Sequence, residues 1–357
     1  MHEQIKNDFR FDTHVKVRYA GPQDVLEVDR FVGKNELSSA YHDYRWIAVI
    51  EKSFGHKCYY LVCEEPDGTI AGTLPMVHLK SLLFGNLLVS MPYLNYGGVC
   101  ADHPAVRDLL IDEGIRTAIG LGAGHIEFRQ ERPFDNGFPV KTLKVSMRLD
   151  LPASGTDLWT SLPSKLRSQI RKPQKEGMTV RIARYEELDN FYRIFSINMR
   201  DLGTPVYPKH FFRNILEQFT ENSWICTVST GTTPVASGFL LGFKGKLEIP
   251  WASSIREYNR LGPNMLLYWS CLEFACNRGF RVFDFGRSTV GEGTYRFKEQ
   301  WGAVQHPMFW HYWMAKGESM PEINPRNPKY RFAIGMWKKL PIPITRVFGP
   351  RIVRNIP

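Results

Sequence analysis

Hydrophobic and polar positions run through the same series of periods twice. In the first pass Val15–Tyr19 alternates as a short strand, and spacing near 3.6 predicts helices over Gln23–Asn35 and Ser39–Phe54, the second carrying Tyr44, Ile47, Ala48 and Ile50. Cys58–Cys63 and Ile70–Leu79 read as arms of a hairpin about Pro66-Asp67-Gly68, and Leu87–Met91 as a third strand. Asp102 is a plausible N-cap for a helix over Pro104–Gly120, with His125–Gln130 the strand behind it. The second pass has a strand at Met178–Arg184 and helices at Glu186–Asp201 and Lys209–Thr220. A hairpin of Trp224–Ser229 and Val235–Phe243 follows, then a strand at Leu247–Ser253, a helix over Pro263–Gly279 and a strand at Phe280–Phe285. Short echoes support a duplication: Ile70-Ala71-Gly72 matches Val235-Ala236-Ser237-Gly238, and Ile126-Glu127-Phe128 matches Phe283-Asp284-Phe285. The repeat length of roughly 160 residues is too long for a solenoid and suits a repeated domain. The expected class is α+β, each domain a mixed, mostly antiparallel sheet flanked by helices. The expected boundaries are 1–154, a helical connector 155–177, a second domain 178–316 and a tail 317–357.

Composition narrows this picture. The chain has 357 residues, 43% hydrophobic and 23% charged, which excludes disorder and coiled coil and leaves enough apolar surface for full cores. Six scattered cysteines form no Cys-x-x-Cys pair, and His56 with Cys58 has no second ligand pair at zinc spacing, so reduced thiols and no metal are expected. Residues 1–10 are too polar for a signal peptide. The uncharged run from Leu82 to Ala101 contains Gly85, Asn86, Pro92, Asn95, Gly97 and Gly98, so it reads as buried strands and a pocket loop rather than a membrane span. A cytoplasmic protein is expected.

The richest chemistry lies in Phe283-Asp-Phe-Gly-Arg-Ser288 and the Gly-rich run to Lys298. A strand end followed by a short helix from about Thr294 gathers Asp284, Arg287, Tyr295 and Lys298, a charge pattern suited to an anionic donor and a polarised carbonyl. The alternative is a structural Asp284–Arg287 ion pair with Lys298 on a solvated face. Asp-Phe-Gly lacks the companion motifs of a kinase, and Gly120–Gly124 follows a helix, where glycines cap rather than bind a dinucleotide. No Walker loop, zinc-protease motif or nucleophile elbow is present. Asn259-Arg-Leu-Gly-Pro-Asn264 precedes a helix. Its Arg260, Gly262 and Asn264 form either a seat for a cofactor pyrophosphate or an ordinary cap.

The element order resembles tandem GNAT-type N-acyltransferase domains. More specifically, Ser53-Phe-Gly-His56, Leu83–Ser90, Tyr96-Gly-Gly98, Asn198–Pro205, Phe283–Ser288, Phe297-Lys298 and Trp301-Gly302 resemble FemAB-related proteins of PEP-CTERM/exosortase systems of Gram-negative bacteria, within the wider Fem and BioF-like group. The resemblance covers nearly the whole chain. It implies passage of an acyl or aminoacyl group to an amine, with Lys298 at the transfer centre and Phe297, Tyr96, Gly97, Tyr207 and Trp301 at the substrate. The long antiparallel helical arm of tRNA-using members is missing, so aminoacyl-tRNA, acyl-CoA and acyl carrier protein all remain donors, and no tightly bound cofactor is implied. The acceptor implied is an envelope, peptidoglycan or exopolysaccharide precursor.

These readings combine into direct attack in a ternary complex, with Lys298 and backbone amides on the oxyanion, Asp284 or Tyr295 moving the amine proton, and Arg287 on a substrate anion. A non-catalytic adaptor recruiting a polysaccharide-assembly complex to the inner membrane is the competing reading. The basic connector around Lys165–Lys175 serves either tRNA or solvent.

The formal charge of +10 divides unevenly. Eight Lys and Arg and no acid follow Glu322, whereas residues 1–322 hold 38 basic and all 36 acidic side chains. The nearly neutral body disfavours DNA as a partner. The tail over 326–357 mixes its cations with Trp337, Phe348 and other apolar residues, fitting either an anionic membrane surface or packing on protein.

Overall fold

Two sheets on one plan hold the strands. The computed structural model describes residues 15–82, 84–321 and 328–357, with backbone only at 328–330; residues 1–10, Leu83 and Arg326, and the side chain of Lys329, lie outside the described set. The first half runs β1 (Lys16–Tyr19), α1 (Val25–Lys34), α2 (Arg45–Phe54), β2 (Cys58–Glu64), β3 (Ile70–Ser81), β4 (Gly85–Val89), β5 (Cys100–Ala101), α3 (Pro104–Gly120), β6 (His125–Gln130) and β7 (Val140–Lys141). Then come β8 (Lys144–Asp150), α4 (Gly155–Ser161) and α5 (Ser164–Lys175). The second half is β9 (Met178–Ala183), α6 (Leu188–Leu202), α7 (Lys209–Gln218), β10 (Ser223–Thr230), β11 (Thr233–Phe243), β12 (Lys246–Ser254), α8 (Pro263–Asn277), β13 (Val282–Thr289), α9 (Gly293–Glu299) and β14 (Val304–Pro307). It is followed by β15 (Phe309–Met314), α10 (Pro328–Trp337) and α11 (Ile342–Val353).

The sheet orders are β1-β2-β3-β4-β6-β15-β7 and β14-β8-β13-β12-β11-β10-β9, with β5 beside β3. The duplication is plain: β1-β2-β3-β4-β6 matches β9-β10-β11-β12-β13. In each half the parallel pair, β4–β6 or β12–β13, spans the crossover of the long helix, α3 or α8, as a parallel connection requires.

The sheets do not follow the expected boundaries at 154 and 316. β8 pairs with β13 in the second sheet, and β15 pairs along its whole length with β6 in the first. The halves therefore exchange one strand each. Lys144–Asp150 was not expected as a strand, although it alternates as a half-buried one does: Val145, Met147 and Leu149 enter the second core, while Ser146 and Arg148 face a carboxylate. The connector is no spacer either. Leu158, Leu162, Leu166 and Ile170 of α4, α5 and the turn between them pack in the same core as α8.

Two further departures are local. The helix expected over Ser39–Phe54 is interrupted at Asp43, whose carboxylate accepts from Arg45 N at 2.9 Å and restarts the chain as α2. The strand expected to end at Phe285 continues to Thr289. Across 82–101 the chain forms β4, turns and β5, and no described helix is long and apolar enough to cross a membrane. All six cysteines are free.

One core is common to both halves: Trp46, Ile50 and Phe54 of α2 pack with Phe211, Phe212 and Ile215 of α7. The tail also lies on the body. Thr345, Gly349 and Val353 of α11 are buried, and a Cβ on Gly349 would sit 2.9 Å from Val206 N. With a shared core and exchanged strands, calorimetry should record a single unfolding transition; two separated transitions would show that the halves fold independently.

Candidate active site

The site starts where a parallel strand pair comes apart. β12 and β13 hold register at Lys246–Val282, Leu247–Phe283 and Glu248–Asp284, and the pairing ends there. Past that point β13 shifts register against β8, with Gly286 at φ 73° and the Ile249 carbonyl 3.3 Å from where its Cβ would lie. Any other residue would be strained at this bend. The strands thus part just beyond two buried carboxylates.

Asp284 has no solvent exposure. Its Oδ1 accepts from Ser146 Oγ at 2.7 Å and Gly286 N at 2.8 Å, and its Oδ2 from Arg148 Nε at 3.1 Å. Arg148 lies directly opposite it across β8–β13, so the ion pair is with Arg148 and not with Arg287. Burial opposes the charge on Asp284, but Lys246 and Arg148 hold its pKa below the usual carboxylate value.

The first half completes the cluster. Tyr96 OH lies 3.0 Å from Asp284 Oδ2 and 3.2 Å from Glu248 Oε2, and accepts from Lys246 Nζ at 2.9 Å. Asn95 Nδ2 donates to Glu248 Oε1 at 2.6 Å. Gly97, which follows Tyr96, has φ 129° and no room for a Cβ, which would meet Met91 Cγ at 2.9 Å. Burial and the charge of Asp284 push the Glu248 carboxyl up to about 7. A group that titrates near neutrality inside a protein is suited to proton transfer.

Asn95 also lines a cavity of about 290 Å³ walled by Tyr93, Tyr207, Trp251 and Tyr268, with Arg287 and Lys298 at its polar end. Lys298 is 6% exposed, and its Nζ donates to the carbonyls of Gly286 at 2.9 Å and Arg287 at 3.0 Å. Two acceptors leave one N–H uncommitted. Burial pushes this amine down to about 8, against the pull of Asp284 and Glu248. Arg287 is exposed and rests against the Trp310 ring, 5.2 Å from its centroid; among the described residues, no ion pair or side-chain hydrogen bond engages its guanidinium. A larger polar cleft of about 540 Å³ is lined by Tyr96, Gly97, Arg129 and Arg148.

The structure therefore brings together Asp284, Tyr96, Arg287, Lys298 and Tyr207, with Gly97 as a backbone support. It separates the others. Tyr295 OH donates to Gln305 Oε1 at 3.3 Å and does not reach the carboxylates. Phe297 and Trp301 pack around Tyr268 in the core. Arg260, Gly262 and Asn264 lie at the start of α8 and do not line the aromatic cavity. There the Arg260 carbonyl accepts from Lys172, Pro263 offers no N–H, and Asn264 Nδ2 donates to Ser254. Glu248, Arg148, Lys246 and Asn95 were missed. The available signal was Lys246 and Glu248 flanking Leu247, two charges two residues apart at the start of a strand whose middle is apolar.

The fold is GNAT-like and doubled. Residues 161–299 match the family described as an acetyltransferase (GNAT) domain, so the second half carries an acyltransferase domain and the protein is of that enzyme class. Among solved structures, FemX is similar at TM-score 0.65 and 15% identity, over 83% of this chain and 96% of that one. L-PGS from Bacillus licheniformis is similar at 0.55 and 14%, over 91% and 99%. A tandem GNAT protein from the clavulanic acid biosynthesis pathway is similar at 0.52 and 9%, over 86% and 100%. At such identities these three speak to fold alone. No curated protein matches the chain in sequence.

Stability measurements on three variants test the cluster. Asp284→Asn removes the buried anion of Lys246 and leaves Arg148 with Glu131 alone, and it should lower unfolding free energy by about 3–5 kcal/mol in urea titrations. Tyr295→Phe should stay within about 0.5 kcal/mol. Glu248 holds a proton in the fold between its ordinary 4.5 and about 7, so its contribution makes stability fall as pH rises through that window. Glu248→Gln removes this dependence, and relative to the parent it should gain about 3 kcal/mol between pH 4 and pH 8.

Proposed function

We propose that the protein transfers an acyl or aminoacyl group to an amine of a cell-envelope or exopolysaccharide precursor, by direct attack in a ternary complex. The observation that carries this reading is the placement of Lys298 and Arg287 in an aromatic cavity beside Glu248, where β12 and β13 part. The match over residues 161–299 supports acyl transfer, and the sequence resemblance to Fem-related proteins supports the acceptor class.

In this mechanism the acyl group of an activated ester or thioester lies in the aromatic cavity. Its carbonyl oxygen accepts the uncommitted N–H of Lys298, which stabilises the oxyanion as the amine adds. Arg287, which has no ion-pair partner among the described residues, holds a phosphate or carboxylate of the substrate. The new C–N bond forms, the C–O or C–S bond breaks, and the amine proton passes through water to ionised Glu248 and on to the leaving group. Asp284 acts indirectly: fully engaged by Ser146, Gly286 and Arg148, it fixes Tyr96 and raises the basicity of Glu248. No covalent enzyme intermediate is needed. The donor is aminoacyl-tRNA, acyl-CoA or acyl carrier protein. All three are cytoplasmic, and a cytoplasmic location comes with the reading.

Mass spectrometry of co-purifying amines, followed by incubation with each labelled donor, tests the proposal; an amide should form from one donor class. Lys298→Ala should lower kcat roughly 10²–10³-fold. The pH profile of kcat/KM should rise through about 7 as Glu248 ionises and fall through about 8 as Lys298 loses its proton, with the acid limb lost in Glu248→Gln. Unchanged transfer in Lys298→Ala would overturn the site, and no transfer from any donor would favour the adaptor.

A further inference from the structure

A surface helix in a globular protein normally turns its apolar side inward. α11 does the reverse. Its face against the body is Thr345, Gly349 and Val353, all buried, while Ile344, Val347, Phe348 and Ile352 stand on the outer face, with Val347 55% and Phe348 50% exposed. The spacing 344, 347, 348, 351, 352 is a single helical stripe, and its remaining member is the exposed Arg351. On α10, Phe332 (73% exposed) and Met336 also face solvent, followed by exposed Lys338 and Lys339.

Small residues explain the inversion. Gly349 lets α11 approach the backbone of Val206, and Thr345 satisfies its own hydroxyl on the Ile342 carbonyl at 3.0 Å. The inner face is therefore closely fitted, and the bulky apolar residues are surplus to it. The segment that carries them has charge of one sign: after Glu322 there are eight cations and no acid.

We propose that the outer faces of α10 and α11 dock the protein on an anionic phospholipid bilayer. Phe332, Met336, Val347, Phe348 and Ile352 enter the headgroup boundary, and Lys338, Lys339 and Arg351 meet lipid phosphates. Charge favours this occupant over a second copy, because a two-fold contact between these faces brings cations against cations with no acid in the segment to offset them. No described helix is suited to span the bilayer, so attachment is peripheral.

The docked surface is tied to the aromatic cavity. The Arg354 carbonyl, just past α11, accepts from Tyr93 OH at 2.5 Å and from His56 Nε2 at 2.6 Å. Tyr93 is a wall of that cavity and sits at φ 70°, a strained setting that its bond to the tail and its packing on Phe54 help to hold. Docking through α11 therefore fixes the cavity relative to the lipid surface. The proposal does not depend on the transfer reaction.

Co-sedimentation of the full chain with vesicles tests it. Vesicles containing phosphatidylglycerol should bind, and high salt should release the protein; phosphatidylcholine alone should bind far less. Phe348→Glu should weaken binding roughly 10–100-fold. Lys338→Ala with Lys339→Ala should weaken it roughly 30-fold. Both sets of positions are exposed, and unchanged near-UV circular dichroism would confirm that folding is intact. Equal binding to both lipids, no binding to either, or unchanged binding of Phe348→Glu would overturn the proposal. So would a dimer in sedimentation equilibrium that Phe348→Glu dissolves, since a second copy would then be the occupant.

Discussion

Asp284 keeps a negative charge in a place with no access to water, and it does so through groups from four separate stretches of chain. Ser146 and Arg148 come from β8, Tyr96 from the first half, Lys246 from β12 and an amide from Gly286. A buried carboxylate deprived of such partners would take up a proton. The exchange of β8 into the second sheet is what sets Arg148 opposite Asp284, and the loop at Asn95–Gly97 is what brings the first half to the same point. Glu248 owes its raised pKa to the same charge. Architecture and acid–base chemistry are therefore one problem here, because the cluster exists only when both halves are assembled.

The first half shows what the same strand position becomes when it is closed off. Glu127 corresponds to Asp284, and two residues on it has Arg129 where the second half has Gly286. Arg129 Nε donates to Glu127 Oε1 at 2.6 Å and Tyr312 OH to Oε2 at 2.8 Å. The carboxylate is consumed by its own neighbours. With glycine at that place, the second half bends, exposes two carbonyls to Lys298 and leaves Asp284 to act on Glu248. At this position the first half is closed by an ion pair, and the second is bent open.

Much of this was legible in the chain. Periodicity gave nearly all the strands and helices of both halves, and the stretch from Phe283 to Lys298 pointed to Asp284, Arg287 and Lys298. What escaped depends on contacts distant in sequence. Arg148 and Glu248 acquire meaning only through sheet pairing, and neither β8 nor β15 declares its partner in its own pattern. Tyr295 was read into the site because it sits one helical turn from Lys298, but α9 turns it toward Gln305 on β14. Phe297 and Trp301 belong to a motif whose aromatic members build the support and whose lysine faces the cavity.

The strand exchange has a consequence for the newborn chain. β6 leaves the ribosome long before β15, its neighbour in the finished sheet, which is made roughly 180 residues later. At ordinary synthesis rates the edge of β6 stays uncovered for roughly 10–40 s. An open edge rich in buried positions is a template for another molecule's strand. The longer synthesis takes, the longer that edge has to be covered by chaperones or by other parts of the same chain.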